Sequence, residues 1–386
     1  MKEASDHRPQ VLIAPNALKN SLHALPAAEA IRRGMVRSGF GADCHIHPMA
    51  DGGDGTVQVL TRCLGGVFRA AEVYDPLGRP VVARFGWVRD QHLAILEMAE
   101  ASGLRLLDKE ELNPMEATSY GTGQLIQAAI KEGAKEIWLG VGGSATVDGG
   151  LGALAALGIP VLDREGNAVP GGGHGLQAVE RIDLPEQHPL QGITLRILSD
   201  VEFPLLGLKG AARMFGPQKG ASVPMVKALE HGLQHLTHIL KQQGLPDMGH
   251  MPRGGAAGGI TATFHTLLGA KLESGAAFVM ERVGLMDKLP QMDWVITAEG
   301  SLDGQSVGGK APVLLAEEAR KHDIPLIALV GQVVDRDEVS KYFDMVFPIN
   351  PRWESRQFAL QHAEEHLCWA AEQVGRLLQR SANGRK

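Results

Sequence analysis

Both ends of this 386-residue chain repeat one unit, a short apolar run, a loop and a stretch of helical periodicity, and that repetition restricts the fold more than any other feature. Apolar runs at 11–14, 45–49, 294–297, 326–330 and 345–347 have the length of buried strands. Helical spacing occupies 24–36, 56–63 and 311–321, and a long helix is expected to close the chain over 357–378. Alternating strands and helices imply an α/β fold, a parallel sheet covered on both faces. The centre departs from this grammar. Runs at 81–87 and 93–96 read as an antiparallel pair, followed by helices at 123–131, 151–157 and 223–242 and strands at 137–140 and 195–198. Residues 1–75 and 290–386 are therefore expected to form one domain, with 76–289 inserted into it as a second, mixed α/β domain.

The sequence holds 48 glycines, well above the average usage of about 7%, and only 5% aromatic residues. Part of that excess belongs to tight turns, and the rest points to loops that cradle a ligand. Net charge is −6, without a basic block ahead of the terminal residues, which argues against a nucleic-acid surface. Three scattered cysteines lack metal-ligand spacing and fit a reducing compartment. The fifteen histidines form no HExxH or comparable pair, so zinc is not expected. No signal-peptide core precedes the first strand and no run is long enough for a membrane span, so the expectation is a soluble, cytoplasmic protein.

The densest chemical signal is GVGGSATVDGG, residues 140–150, between a strand and a helix. Glycines let backbone amides converge on an anion, and the following helix N-terminus adds partial positive charge. Gly142, Gly143, Ser144, Ala145, Thr146, Gly149 and Gly150 are thus candidate phosphate contacts; a tight turn capped by Ser144 or Thr146 is the plainer alternative. The loop has neither the Walker lysine nor GxGxxG spacing. Asp148 within it would repel a phosphate unless a metal cation lay between them. Asp51-Gly52-Gly53-Asp54 brings two acids to another strand end, suited to Mg²⁺ or to an Asp-rich turn. Asp200 ends a strand and could bind metal or act as a base. Lys19 and the glycine-framed Lys219 offer point charges for phosphate or carboxylate. Glu299, Ser301 and Asp303 form a further acidic loop. All these loops fall beyond strand C-termini, where open α/β sheets bind ligands.

In this order, APNALKNSL (14–22), ADGGDGT (50–56), GTG (121–123), GVGGSATVDGG (140–150), SDVEFPLLG (199–207), FGPQKGA (215–221), GGAAGG (254–259) and ITAEGSLDGQS (296–306) resemble the bacterial type I glycerate kinase family over nearly the whole chain. The resemblance implies a flavodoxin-like, Rossmann-type parallel-sheet domain with a second α/β domain inserted, and an active site in the cleft between them. It implies ATP, Mg²⁺ and phosphorylation of D-glycerate at the 2-hydroxyl to give 2-phosphoglycerate. On this basis the glycine loop and Lys219 are expected to bind ATP, and Asp51, Asp148, Asp200 and Lys19 to be catalytic. Asp148 and Asp200 would hold metal, while Ser21, Gly52, Gly53, Glu299, Ser301 and Asp303 would meet the substrate; which acid is the base stays open. Neither nucleic acid nor membrane is expected as a partner, and a homodimer is allowed for. Asn16, Ala17, Leu18, Asn20, Val147, Glu202, Phe203 and Ser301 depart from the family pattern, the last where arginine is usual. Arginine to serine is not conservative at a carboxylate or phosphate site. A kinase of the same architecture acting on another hydroxy acid or polyol therefore stays open, as does a non-catalytic nucleotide- or anion-binding protein; a hydride-transfer enzyme ranks third.

Overall fold

The computed structural model describes residues 8–302 and 311–383. The strands are β1 (Gln10–Ile13), β2 (Asp43–Ile46), β3 (Val67–Tyr74), β4 (Pro80–Val88), β5 (Leu93–Glu97), β6 (Glu136–Gly140) and β7 (Val161–Leu162). Then come β8 (Arg181–Ile182), β9 (Thr194–Leu198), β10 (Lys271–Glu273), β11 (Trp294–Leu302), β12 (Leu326–Val333) and β13 (Met345–Pro348). The chain divides into two compact units, a terminal one of residues 1–51 with 276–386 and a central one of 52–275. Residues 52–75 of the expected first domain thus belong to the central unit, because β3 pairs along its whole length with β4.

The terminal unit is built on a five-stranded parallel sheet in the order β13-β12-β11-β1-β2. Counted within the unit alone that order is 2-1-3-4-5, the flavodoxin-like arrangement, and its switch point lies between β1 and β11. Val11, Ile13, Ile296, Ala298, Ile327 and Leu329 share one apolar core with the helices Ala24–Ser38 and Ala363–Asn383. Near-continuous apolar runs are what a strand covered on both faces needs, and this is why these strands are plain in the sequence. The closing helix, expected as one piece, is two: Arg356–Gln361 and Ala363–Asn383. His362 breaks it at φ −109°, ψ 13°, with its ring stacked on Phe358 at 3.7 Å.

A six-stranded sheet, in the order β10-β9-β6-β5-β4-β3, forms the spine of the central unit. β5, β6, β9 and β10 run parallel; β4 and β3 continue antiparallel. β7 and β8 make a separate antiparallel pair. Helices Tyr120–Lys131, Val223–Gln242 and Ile260–Leu268 contribute Leu125, Leu233 and Phe264 to its core. β3 left little periodic signal because most of its side chains are exposed or half-buried. Among the described residues no helix is long and apolar enough to cross a membrane.

Candidate functional site

Each unit gathers its candidate residues at the C-terminal edge of its own parallel strands. In the terminal unit, Asn16 follows β1, and its Nδ2 donates to Glu299 Oε2 at 3.0 Å, tying the two strands that flank the switch point. Gly300 lies against the Lys19 backbone, so Lys19 and the 299–301 segment share one corner, with Lys19 exposed. Ser301 is a strand residue, in register with Gln332 of β12. The Ser21 hydroxyl donates to the Leu360 carbonyl at 2.6 Å, which gives it a tethering role where substrate contact was expected. Beyond β2 the chain stays extended, the His47 and Met49 amides donating to the Ile13 and Pro15 carbonyls, and so delivers Asp51 to the same edge. Asp303 lies outside the described residues.

In the central unit the Gly52–Gly55 turn runs over the ends of β6 and β9. The Gly142 amide donates to the Gly52 carbonyl at 3.0 Å. A Cβ on Gly142 would stand 2.4 Å from Gly53 Cα, and one on Gly52 would stand 2.4 Å from the Leu198 carbonyl oxygen, so neither position tolerates a side chain without a backbone shift. Asp200 follows β9 and accepts from Ser274 Oγ at 2.9 Å.

The glycine loop splits into an accessible tip and a buried stem. Gly143 is exposed and Gly142 half-buried, whereas Ala145, Thr146, Gly149 and Gly150 are buried. The Ala145 amide donates to Ser102, Gly149 to Gly258 and Gly150 to Asp148. Ala145, Gly149 and Gly150 form scaffold beneath the tip, because amides already satisfied inside the fold have nothing left for a phosphate, and buried Thr146 is held there through its carbonyl, which accepts from Lys219. Among the described residues the Gly143 and Ser144 amides have no internal acceptor. Ser144 itself is nearly buried, its hydroxyl held by Lys219.

Two ionic side chains hold that stem. Asp148 is 0% exposed, and its Oδ2 accepts from the Ser119 amide at 2.8 Å, the Ser119 hydroxyl at 2.7 Å and the Gly152 amide at 3.3 Å, while Oδ1 accepts from Gly150 at 3.0 Å. Asp148 was expected to be a metal ligand or base; in the structure its oxygens accept from the first turns of the helices Tyr120–Lys131 and Leu151–Ala156, a buried capping arrangement. Lys219, expected to touch ATP, is 2% exposed, and its Nζ donates to Ser144 Oγ at 2.8 Å and to the Thr146 carbonyl at 2.6 Å. Burial draws its pKa down to about 7, with the Asp148 charge working against that fall. It carries the loop from below.

Beside the tip stand Asp54, the second acid of the 51–54 motif, and Arg105, which sequence reasoning passed over. Asp54 lies next to Gly143, and Arg105 reaches both Asp54, at 3.7 Å, and Glu100. Glu97, the last residue of β5, is 4% exposed, and its Oε1 accepts the Val57 amide at 2.8 Å. Burial pushes its pKa up to about 7; the Val57 hydrogen bond and Arg105 oppose this, and Asp54 and Glu100 add to it. The one signal for Glu97 was an acid closing an otherwise apolar strand. Among the described residues no three His, Cys, Asp or Glu side chains gather into a metal cage. Mg²⁺ would therefore need phosphate oxygens beside a carboxylate such as Asp200, which is its usual habit.

Comparison with known proteins gives a consistent result. A model of the glycerate kinase family matches residues 11–379. A glycerate kinase of Halalkalibacterium halodurans is 39% identical over 367 residues, spanning 94% of this chain and 97% of its own. The glycerate 2-kinase of Escherichia coli K12 is 38% identical over 372 residues, spanning 96% and 98%. A crystal structure from Salmonella typhimurium LT2, provisionally described as glycerate kinase 2, superposes with a TM-score of 0.85 at 35% identity, covering 98% of this chain and all of that one.

Proposed function

This chain belongs to the glycerate kinase family, and from that premise we propose that it transfers the γ-phosphoryl group of ATP to the 2-hydroxyl of D-glycerate. The observation that carries the reading is the end-to-end likeness to the E. coli glycerate 2-kinase, which leaves no part of either chain unmatched on a domain scale. Three free cysteines fit a reducing compartment, and the cytoplasm is the proposed location.

Phosphoryl transfer asks the protein for in-line positioning and charge neutralisation, with little covalent chemistry. The Gly143 and Ser144 amides would take phosphate oxygens, held in place by the Lys219 and Asp148 anchors below them. Mg²⁺, carried by Asp200 together with phosphate oxygens, would neutralise charge on the transferred group. Lys19, on the exposed corner beside Glu299 and Ser301, supplies the cation for the glycerate carboxylate, and Asp51 accepts the proton of the attacking hydroxyl. With ATP, Mg²⁺ and racemic glycerate, the expected NMR product is 2-phosphoglycerate from the D-enantiomer alone. A 3-phosphoglycerate product would overturn the regiochemistry, and ATP turnover confined to another hydroxy acid would overturn the substrate.

Ser301 provides a separate check on the acid pocket. A charge-assisted hydrogen bond contributes roughly 1.5–3 kcal/mol, one to two decades in binding. Ser301→Arg should therefore lower the KM for glycerate by about tenfold and leave that for ATP within about twofold. Equal changes in both, or a change in ATP alone, would remove residue 301 from the acid pocket.

A further inference from the structure

β5 ends in a carboxyl that strand pairing does not need. Ala94 to Leu96 ahead of Glu97 are core residues, and an apolar side chain at 97 would continue that core without the desolvation penalty of an acid. Glu97 instead reaches across forty residues of sequence to Val57, the second residue of the helix Thr56–Cys63. The amide it accepts is one of the orphan donors of a helix N-terminus, where Gly55 in the capping position has no side chain to offer. Among the described residues Glu97 Oε2 has no hydrogen-bond partner.

That single contact closes a frame around the acid turn. At its leading end the Gly52 carbonyl holds the Gly142 amide, and in its middle the Thr56 amide and hydroxyl both donate to the Gly53 carbonyl. At its trailing end Val57 is held by Glu97. Between these fixed points stands Asp54, beside the exposed Gly143 and facing Arg105. Loosening the Val57 end would detach the trailing half of the turn from β5 and leave its leading half on the glycine loop, where the Gly142 amide donates to the Gly52 carbonyl and Gly142 packs against Gly53.

We propose that Glu97 is a positioning residue for phosphoryl transfer, fastening the Gly52–Val57 turn to the end of β5 so that the turn and the tip of the glycine loop keep one geometry. The proposal rests on the glycerate kinase reading. It separates two substitutions that a purely structural role would treat alike. Glu97→Gln keeps an acceptor for Val57 without the charge, whereas Glu97→Leu fills the space and accepts nothing.

The test is steady-state kinetics of the full chain with ATP and glycerate varied in turn, beside hydrogen exchange at the Val57 amide. Glu97→Gln should hold kcat within about threefold and keep Val57 protected. Glu97→Leu should lower kcat by about 30-fold or more, on the scale by which a misplacement of about 1 Å slows catalysis, with both KM values within about twofold and Val57 exchanging fast. If Glu97→Leu loses its cooperative thermal transition, Glu97→Met serves the same purpose. Parental kcat in the apolar variant, or a Gln variant as slow as the Leu variant with Val57 still protected, overturns the proposal. A parental enzyme inert towards glycerate would instead overturn the functional reading, and this role with it.

Discussion

Lys219→Met should lower kcat/KM by about 100-fold while leaving the melting temperature at pH 6 unchanged or slightly higher. The two effects part company because the lysine serves position at some expense to stability. Its Nζ spans Ser144 Oγ and the Thr146 carbonyl, so its removal frees the residue that presents one of the two open amides at the loop tip. A shift of about 1 Å there is enough for a hundredfold loss. Unpairing the two acceptors costs about 1–3 kcal/mol. Below pH 7 that cost is offset by removing a cation from a fully buried site, and methionine fills a similar volume.

The pH dependence follows with a definite sign. Burial holds Lys219 at about 7 in the folded chain, well below the ordinary lysine value of 10.5. Between those values the unfolded chain binds the extra proton, so the parental protein gains stability as pH rises from about 7 to 10.5. The methionine variant lacks this contribution. Its melting temperature should fall progressively further below the parental one across that window. A constant difference from pH 6 to 10 would show that Lys219 carries its charge in the folded state, and would sink the account of a neutral buried amine.

The fold was legible where burial is symmetrical, and the candidate site was legible only as a set of loops. β1, β11 and β12 are covered on both faces and announce themselves as apolar runs, while β3, with mostly exposed side chains, left no period to find. Glycine and acid motifs marked turns at strand ends, which the structure has over residues 51–55 and 141–150, since backbone freedom and turn chemistry are local properties. Side-chain direction is not local. Whether Asp148 faces a ligand or the interior depends on Ser119, twenty-nine positions earlier, and the Ser21 hydroxyl is captured by a carbonyl 339 positions away. Glu97 stayed hidden for the same reason, because an acid at the end of an apolar run reads as the solvent boundary of a strand until Val57 is seen beside it.

Asp148→Asn is expected to lose both stability and turnover, and so to differ from Lys219→Met, although both residues anchor the same loop. The carboxylate accepts four hydrogen bonds from three residues: the Ser119 amide and hydroxyl, and the Gly150 and Gly152 amides. An asparagine can present one oxygen to part of this set and must turn an amino group on the remaining donors. The Ser119 hydroxyl cannot simply reverse, because its oxygen already accepts from the Ala153 amide at 3.0 Å. At least one buried donor is left facing another, a loss of about 2–4 kcal/mol for hydrogen bonds to a charged group. For a unit of this size each kcal/mol corresponds to about 2–4 °C, so a fall of roughly 4–16 °C in melting temperature is expected. Turnover should drop about 100-fold with it, because the 140–150 loop and the start of the helix Leu151–Ala156 lose their common anchor. A metal-ligand role would give another pattern, unchanged melting without Mg²⁺ and a loss of activity that excess Mg²⁺ partly restores. Thermal melts without metal, set beside a Mg²⁺ titration of the rate, separate the two, and a variant that melts with the parental protein while recovering at high Mg²⁺ would return Asp148 to the metal.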